Sequence, residues 1–357
     1  MVLMRVVTNI LQTDFYFDIM KRIFLFLIVC AFFHVTSCSQ HSITVMFCNT
    51  ENLFDPEDDP DKDDDAYTPG GDYHWTRSRY WDKLDAVSKV IVAADDEAAP
   101  ALVGLSEVEN ETVLTDLTER SALKEAGYRF VMTDSPDNRG IDVALLYRRS
   151  YFRLLEHESL RVNLRPYGGG ATRDILHVTG LLESMDTLDI YVCHWPSRYG
   201  GVDETEPLRM CAAGVVRSSV DSIFSVRRKP YVIIMGDLND GPDAPALREG
   251  LRAHAYSSGS QLADRELVTV MDPLEDGSYK YQGVWDKYDQ FVVSASLLNG
   301  LGCTGMTGVE IMRLPFLLAD DDAYGGVKPL RTYNGRRYQG GFSDHLPIKM
   351  RIGAGSY

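Results

Sequence analysis

Short apolar runs, most of them ending in polar side chains, recur along this chain and predict a sheet-rich α/β protein. The runs predict buried strands at 42–48, 101–105, 128–132, 143–147, 188–193, 231–235 and 291–294. Apolar positions that recur near the helical period predict helices at 77–94, 111–126 and 209–226, and Thr76 or Ser78 is expected to cap the first of them. Strands that alternate with helices indicate an α/β class.

The stretch 231–241 (YVIIMGDLNDG) carries the densest candidate chemistry. Gly236 interrupts a buried strand, and Asp237 and Asn239 follow at its end. Residues two apart on a strand share a face, so both side chains are expected to point into one cleft. A carboxylate and an amide oxygen suit a Mg²⁺-type ion better than zinc. The alternative is a plain Asn/Asp-rich turn.

Other strand ends show the same arrangement. Asn49 and Glu51 share a face after the first strand, with a polar turn as the alternative, and Glu107 follows the strand at 101–105. His194 stands at a strand tip just before a proline, where a structural role is the alternative. Near the C-terminus His345 follows a carboxylate, a pattern that suggests an oriented imidazole working as a general base.

Length and composition indicate one large globular domain. The chain has 357 residues, of which 45% are hydrophobic and 25% charged, and it shows neither an internal repeat nor a linker-like segment. The net charge of −16 argues against broad electrostatic binding to a nucleic-acid backbone. No Lys/Arg-rich run with interleaved aromatic residues predicts a duplex-binding face.

The N-terminus reads as a targeting segment. Lys21 and Arg22 precede an apolar run, 23–35, that is too short to span a bilayer comfortably. The run ends at Cys38 in a sequence similar to a bacterial lipobox, so we expect lipidation of Cys38 and an extracytoplasmic, membrane-anchored protein. An ordinary cleaved signal peptide and an uncleaved anchor are the alternatives. We therefore divide the chain into a targeting segment, 1–37, and a catalytic domain, 38–357; a start at Met20 would leave residues 1–19 untranslated.

The remaining cysteines and an acidic run add less. Cys48, Cys193, Cys211 and Cys303 show no metal-binding spacing; the first two lie in apolar runs and are expected to be buried thiols, and disulfide pairing stays open. The acidic run 55–65 lacks the glycine and the closing glutamate of an EF-hand. A solvated surface loop is therefore favoured there over a Ca²⁺ loop.

Taken together, the polar clusters at strand ends resemble the endonuclease/exonuclease/phosphatase (DNase I-like) superfamily. The matching positions are 49–51, 107, 194, 236–239, 288–289 and 343–345, in the order and approximate spacing of that superfamily. The resemblance spans nearly all of the chain after the targeting segment. It implies a four-layer α/β/β/α sandwich, in which two mixed β-sheets pack face to face and the catalytic loops gather at one edge.

The resemblance also implies a divalent-metal site. It assigns Mg²⁺ or Mn²⁺ to Glu107 with Asn49 and Glu51, and Ca²⁺ is kept as an alternative ion. Asp237 and Asn239 would position water and phosphate, and could hold a second metal. Asp344 completes the set of candidate ligands.

The same resemblance implies the acid–base residues. His345, oriented by Asp344 or by another carboxylate nearby, would deprotonate the attacking water, and Asp289 matches the position that pairs with a catalytic histidine. His194 would donate a hydrogen bond or a proton on the phosphate side. Arg139 and Arg198 are weaker candidates for contacts with the substrate phosphate, with surface salt bridges as the alternative.

Three functions follow as hypotheses. The first is a metal-dependent hydrolase of phosphodiesters, a nuclease acting as a monomer. The second is a phosphoesterase for lipid head groups or small phosphate esters. The third is a surface binding module without catalysis, which the complete set of candidate catalytic residues makes the least favoured.

Overall fold

The computed structural model describes residues 42–256, 262–271, 274, 276–300 and 307–353. The strands are β1 (Ser42–Leu53), β2 (Leu102–Val108), β3 (Tyr128–Met132), β4 (Asp142–Arg148), β5 (Phe152–Leu160), β6 (Ile175–Leu182), β7 (Thr187–His194), β8 (Tyr231–Asp237), β9 (Ala253–Ala255), β10 (Leu267–Thr269), β11 (Tyr279–Tyr281), β12 (Val284–Asp286), β13 (Asp289–Ser294), β14 (Thr307–Ile311), β15 (Leu318–Asp320), β16 (Val327–Pro329), β17 (Tyr333–Asn334), β18 (Arg337–Tyr338) and β19 (Ile348–Gly353). The helices are α1 (Arg77–Val92), α2 (Glu111–Thr115), α3 (Val202–Val226) and α4 (Ala295–Leu298), with 3₁₀ turns at Asp65–Tyr67, Ala122–Ala126, Arg165–Tyr167 and Pro315–Leu317 and π-helical turns at Asp116–Arg120 and Ala246–Gly250.

Two large mixed sheets form the centre of the domain. One has six strands in the order β14-β19-β1-β2-β4-β3, and the other has seven in the order β5-β6-β7-β8-β13-β10-β9. Each sheet contains a parallel pair near its middle, β1 with β2 and β7 with β8. Strands in a parallel pair are buried on both faces, which explains why their sequences read as nearly continuous apolar runs.

Three apolar clusters hold the layers together. One lies between the sheets and includes Phe47, Ile233 and Phe291. A second packs α1 against the outer face of the six-stranded sheet, and a third packs α3 against the outer face of the seven-stranded sheet. This arrangement confirms the predicted four-layer α/β/β/α class.

The polar strand ends meet at one edge of this sandwich. His194 and Asp289 each pair in register with Asp237, from the two neighbours of β8. Asn49 lies opposite Ser106 in the β1–β2 pair, and Ser106 is the residue directly before Glu107. Each parallel pair brings its carboxyl ends to one edge of its sheet, and the antiparallel β13 begins at that edge with Asp289, so the topology places these groups together.

Several elements differ from the prediction. β5 and β6 were not predicted; β5 is an edge strand whose side chains are mostly exposed, so it carries little apolar periodicity. The helix predicted at 111–126 is broken into α2, a π-helical turn and a 3₁₀ turn. The helix predicted at 209–226 begins earlier, at Val202. The Thr76 side chain caps α1, as one of the two predicted options.

Cys48 and Cys193 are buried free thiols, as predicted, and Cys211 is also free. Cys38 and Cys303 lie outside the described residues. None of the helices in the described part of the chain combines the length and the apolarity needed to cross a bilayer.

Candidate active site

Two carboxylates from different sheets meet at the amide of Asn49. Asn49 Nδ2 donates a hydrogen bond to Asp237 Oδ2 at 3.0 Å and lies 3.4 Å from Glu107 Oε1. His194 Nε2 lies 3.7 Å from Asp237 Oδ2 and 3.8 Å from Glu107 Oε1. The structure therefore gathers four of the predicted residues into one polar centre between the strand ends.

Left-handed backbone at the strand ends aims these side chains. Glu51, Asn52, Glu107 and Asn239 all have positive φ, between 48° and 61°. Such backbone is uncommon for residues other than glycine and concentrates at functional sites. The simple two-residue alternation expected from a regular strand therefore fails here, and the β1–β2 register also shifts between Asn49 and Leu53.

Glu51 is turned away from the cluster by this kink. Its Oε1 accepts a hydrogen bond from Arg331 Nε at 2.9 Å, and its Oε2 accepts one from the backbone N–H of Thr332 at 2.6 Å. Asp344 likewise accepts from Arg331, at 3.0 Å. Both carboxylates compensate the charge of Arg331. Neither of them therefore joins Glu107 and Asp237 at the Asn49 side chain as a candidate metal ligand. Their predicted role as metal ligands is not supported by this geometry.

Asp289, not Asp344, orients the His345 imidazole. His345 Nδ1 lies 2.7 Å from Asp289 Oδ2, and the Ser278 hydroxyl also donates to that oxygen. His345 Nε2 faces Asp237 Oδ2 at 3.7 Å. Burial lowers the pKa of His345, but the charges of Asp289 and Asp237 outweigh it and hold the pKa well above its ordinary value. The pairing of Asp289 with a catalytic histidine was implied by the resemblance, and of the two predicted options for orienting His345 the geometry favours another nearby carboxylate, Asp289, over Asp344.

His194 is held as a neutral imidazole. Burial keeps its pKa well below the ordinary value, and the positive charges of Arg173, Arg139 and His345 reinforce the effect. Its Nδ1 is buried and makes no hydrogen bond with any described residue. A neutral imidazole beside two carboxylates is suited to hydrogen bonding rather than to donating a full proton.

A buried ion-pair network fixes the loop after β8. Asn239 Nδ2 donates to the backbone oxygen of Trp195 at 3.1 Å, and its own N–H donates to Asp237 Oδ1 at 3.0 Å. Arg198 donates to the backbone oxygen of Asn239 at 2.8 Å and to Asp240 at 2.9 Å, and the fully buried Arg209 also pairs with Asp240, at 2.7 Å. Arg198 therefore supports this loop, in agreement with the salt-bridge alternative and not with a free phosphate contact.

Arg139 remains available for a substrate contact at the solvent-exposed opening of the site. Its side chain is 46% exposed, donates to Asn52 Oδ1 and lies 3.6 Å from Glu107 Oε2. Arg173, which the sequence reasoning missed, donates to the Trp195 backbone oxygen and to Asp137. No local motif marks Arg173, since only the fold brings it beside His194.

Lys83 and Arg331 were also missed. Lys83 Nζ is completely buried and donates to the Thr332 hydroxyl and to the backbone oxygens of Phe342 and Glu51. Burial lowers its pKa to about 8, against the opposing charges of Glu51 and of another nearby carboxylate. Lys83 lies on the buried face of α1, where Ser88 is the other polar residue, and a lysine at an apolar-face position was the signal available in the sequence.

The donor set around Asn49 fits a hard divalent cation. Burial raises the pKa of Asp237, with the Asp289 charge as a further cause, which shows that the negative charge there is poorly compensated. A cation held by Glu107 and Asp237 would compensate it, and the amide oxygen of Asn49, which accepts a hydrogen bond from the Glu51 backbone N–H at 2.8 Å, is a further oxygen donor in this cluster. Asp237 also clusters with Asp289 and His345, whose potential ligand atoms all lie within 4.8 Å of one another.

The fold and this site define a class, the phosphoester hydrolases with a DNase I-like sandwich. A family model described as the Endonuclease/Exonuclease/phosphatase family matches residues 44–353, and the chain belongs to that family. No curated protein matches the sequence significantly. Members of this family generally use divalent metals, which agrees with the donor set described above.

Solved structures with the same fold are distant in sequence. A Bacteroides thetaiotaomicron mannosyl-6-phosphatase superposes with a TM-score of 0.55 at 15% identity, over 86% of this chain and 98% of that chain. The human Nocturnin catalytic domain with bound sulfate gives 0.52 at 15% identity, over 87% and 94%. Truncated Caenorhabditis elegans TDP2 gives 0.53 at 14% identity, over 87% and 97%. At these identities the likeness shows the fold alone.

Proposed function

We propose that this protein is a divalent-metal-dependent phosphoester hydrolase in which His345 acts as the general base. The observation that carries the proposal is the convergence on Asp237 of the Asn49–Glu107 pair from one sheet and of the His345–Asp289 pair. One side of this centre is suited to holding a cation and the other to activating water. The two sides share a carboxylate, so both would act on the same phosphate group.

The chain's own groups have separable tasks. Asp289 accepts a hydrogen bond from Nδ1–H of His345, which leaves Nε2 of the neutral imidazole to take a proton from water. Asp237 stands 3.7 Å from that nitrogen and would fix the water. Neutral His194 would donate a hydrogen bond to a phosphate oxygen, and Arg139 would contribute charge at the mouth of the site.

Glu107, Asp237 and Asn49 are the residues that would hold the metal ion, with Mg²⁺ or Mn²⁺ suited to their oxygen atoms. When bound, the ion would neutralise phosphate charge and stabilise the leaving oxygen. Glu51 and Asp344 would act indirectly, by holding Arg331 and the loop that carries His345.

The substrate class separates two candidate functions. Hydrolysis of nucleic-acid phosphodiesters, the leading prediction from the sequence, stays a prediction. The net charge of −16 favours a small phosphate ester, because an acidic surface repels a polyanionic backbone. The solved phosphosugar enzyme with the same fold is compatible with that second candidate.

Purified protein assayed with Mg²⁺, Mn²⁺ or EDTA would test the proposal. The panel comprises plasmid DNA, bis-p-nitrophenyl phosphate, p-nitrophenyl phosphate and phospholipid vesicles. His345→Ala is expected to abolish turnover, whereas His177→Ala, which removes a buried histidine bonded to Asp189 on the second sheet, should retain it. Equal activity of the two variants would refute the assigned base, and inactivity of the native protein across the panel would favour a binding module.

We also propose that the enzyme is extracytoplasmic and lipid-anchored through Cys38, acting as a monomer. The anchor and the location are supported by the sequence around Cys38 alone, and the monomeric state stays a prediction. Labelling cells with a radioactive fatty acid should mark the native protein and leave Cys38→Ser unlabelled. Label that persists in the variant would contradict the anchor.

A further inference from the structure

A half-enclosed pocket of about 260 Å³ lies directly beside the candidate active site. Its lining consists of Glu51, Asn52, Tyr67, Tyr73, Arg331, Thr332, Tyr333 and Gly335. Asn52 connects it to the cation cluster, because its backbone N–H donates to Glu107 Oε2 at 2.9 Å. A group attached to a phosphate at the reaction centre can therefore extend into this pocket.

Closely packed aromatic rings make the pocket rigid. Tyr67 stacks on Phe54 with ring centroids 4.5 Å apart, and Tyr73 lies 4.8 Å from both Tyr67 and Tyr333. The Tyr333 hydroxyl donates to the Tyr73 backbone oxygen at 2.9 Å. A wall fixed in this way binds a ligand at low entropic cost.

Two polar groups in the wall have no partner among the described residues. The Tyr67 hydroxyl makes no hydrogen bond there, and burial raises its pKa, with the negative charges of Glu107 and Glu51 among the smaller causes. Arg331 donates from Nε and Nη2, while Nη1 makes no such bond and the side chain is 45% exposed. Unpaired polar groups in a rigid pocket are well placed to recognise the polar groups of a ligand.

The charge around the pocket is balanced. The positive charges of Arg331 and Lys83 are matched by the carboxylates of Glu51 and Asp344, which contact Arg331 directly. An additional anionic group would have to compete with two carboxylates for the same guanidinium. The pocket is therefore suited to a neutral group rather than to a second phosphate.

The size of the pocket sets a second limit. Its volume lies below the roughly 300–1,000 Å³ of sites that enclose drug-sized ligands. A single ring fits this space, and a nucleic-acid duplex does not.

Building on the proposed hydrolase function, we propose that this pocket binds the neutral hydroxylated ring of a small sugar phosphate. The Tyr67 hydroxyl and Arg331 Nη1 would be the hydrogen-bond partners of the ring hydroxyls. The ring could belong to a free sugar phosphate or to the ribose of a nucleotide, since both present hydroxyls beside a phosphate. The pocket would then select the substrate, while the cation cluster would bind the phosphate.

Isothermal titration calorimetry in the His345→Ala background, which prevents turnover, would test the pocket. The probes are glucose 6-phosphate, AMP and ethyl phosphate, all with Mg²⁺. At least one ring-bearing probe is expected to bind roughly tenfold more tightly than ethyl phosphate, because one or two hydrogen bonds are added. Tighter glucose 6-phosphate identifies a free sugar as the source of the ring, and tighter AMP identifies a nucleotide.

Two variants probe the pocket separately. Tyr67→Phe removes only the hydroxyl, and Gly335→Asn adds a side chain where a Cβ meets nothing within 4 Å; asparagine tolerates the φ of 59° at this turn. Each should reduce the preference for the ring-bearing probe several-fold and leave the affinity for ethyl phosphate unchanged. Tyr167→Phe, in a half-exposed turn outside the pocket, is the matched control.

Equal affinities of the three probes in the parent protein would overturn the proposal. A preference that survives in both pocket variants would also overturn it, because the ring would then bind elsewhere. The phosphate-release assay of the native protein reports separately on the hydrolase function. Retained ring preference without phosphate release would refute the hydrolase proposal and leave the pocket assignment standing.

Discussion

Replacing Asp289 by Asn should slow hydrolysis without preventing metal binding. The change keeps the size of the side chain but removes the charge that holds His345 Nδ1 at 2.7 Å. An asparagine can also present its amide nitrogen, which favours the wrong tautomer of the imidazole. The predicted consequence is a lower kcat with a nearly unchanged affinity for the metal.

The contact itself sets the magnitude. The hydrogen bond joins a buried imidazole to a carboxylate that is 1% exposed, and hydrogen bonds to charged groups contribute about 1.5–3 kcal/mol. Loss of that amount in the transition state corresponds to a decrease of roughly 10- to 150-fold in kcat. Because the Asp289 charge also raises the pKa of His345, the acidic limb of the pH–rate profile should move to lower pH.

Phosphate release as a function of pH would provide the measurement, with Mg²⁺ affinity determined by calorimetry. Asp189→Asn is the matched control, since Asp189 is also a buried carboxylate bonded to a histidine, His177, at 3.2 Å, and that pair is separate from the reaction centre. It should destabilise the protein and leave kcat unchanged. A change in kcat of less than threefold for Asp289→Asn, in a folded variant, would refute the role of the His345–Asp289 pair.

Three further predictions test the metal centre, the buried carboxyl group of Glu109 and the loop after β8. Glu107→Gln should weaken Mg²⁺ binding by roughly tenfold or more in calorimetric titration, since even outer-shell partners contribute that much; unchanged affinity would exclude Glu107 as a ligand. Burial raises the pKa of Glu109 to about 8, although the hydrogen bond from the Asp55 backbone N–H opposes the rise. The contribution of the protonated carboxyl group to stability is therefore fully present below the unfolded pKa near 4.5 and is lost as the pH rises through 8. Glu109→Gln should therefore increase the free energy of unfolding in urea, by on the order of 2 kcal/mol at pH 9 and by nothing near pH 4.5, and a pH-independent difference would contradict the assignment. Arg209→Met, which leaves the buried Asp240 with one ion-pair partner fewer, should lower the free energy of unfolding in urea by about 3–5 kcal/mol; a loss below about 1 kcal/mol would show that Arg198 suffices.

The sequence was informative where a residue's role depends on its position along a strand. Asp237 and Glu107 each lie at the end of an apolar strand, so each could be placed at the carboxyl-end edge of its own sheet. Their proximity depends on the packing of the two sheets against each other. The buried thiols of Cys48 and Cys193 follow from the same apolar runs. β5 escaped prediction because an exposed edge strand has no apolar face to reveal it.

The sequence was misleading where the backbone leaves regular geometry. Asn49 and Glu51 should share a face of a regular strand, but the positive φ at Glu51 redirects its carboxylate to Arg331. The adjacency of Asp344 and His345 suggested a pair, yet neighbouring residues point in different directions and the imidazole bonds to Asp289 instead. Sequence neighbours are not necessarily spatial partners.

The family resemblance implied the four-layer sandwich. By itself, the sequence pattern determined the α/β class, the strands whose ends carry the candidate catalytic groups and the chemical types of those groups. Those properties depend on apolar periodicity and side-chain identity, which are local. Only the tertiary structure decided which carboxylate orients His345. It also decided that Arg198 bonds to the loop after β8 and that Tyr67 and Arg331 line one pocket beside Glu107. These relations join residues far apart in the chain, and they depend on the packing of two sheets and on a few left-handed backbone positions that no local pattern specifies.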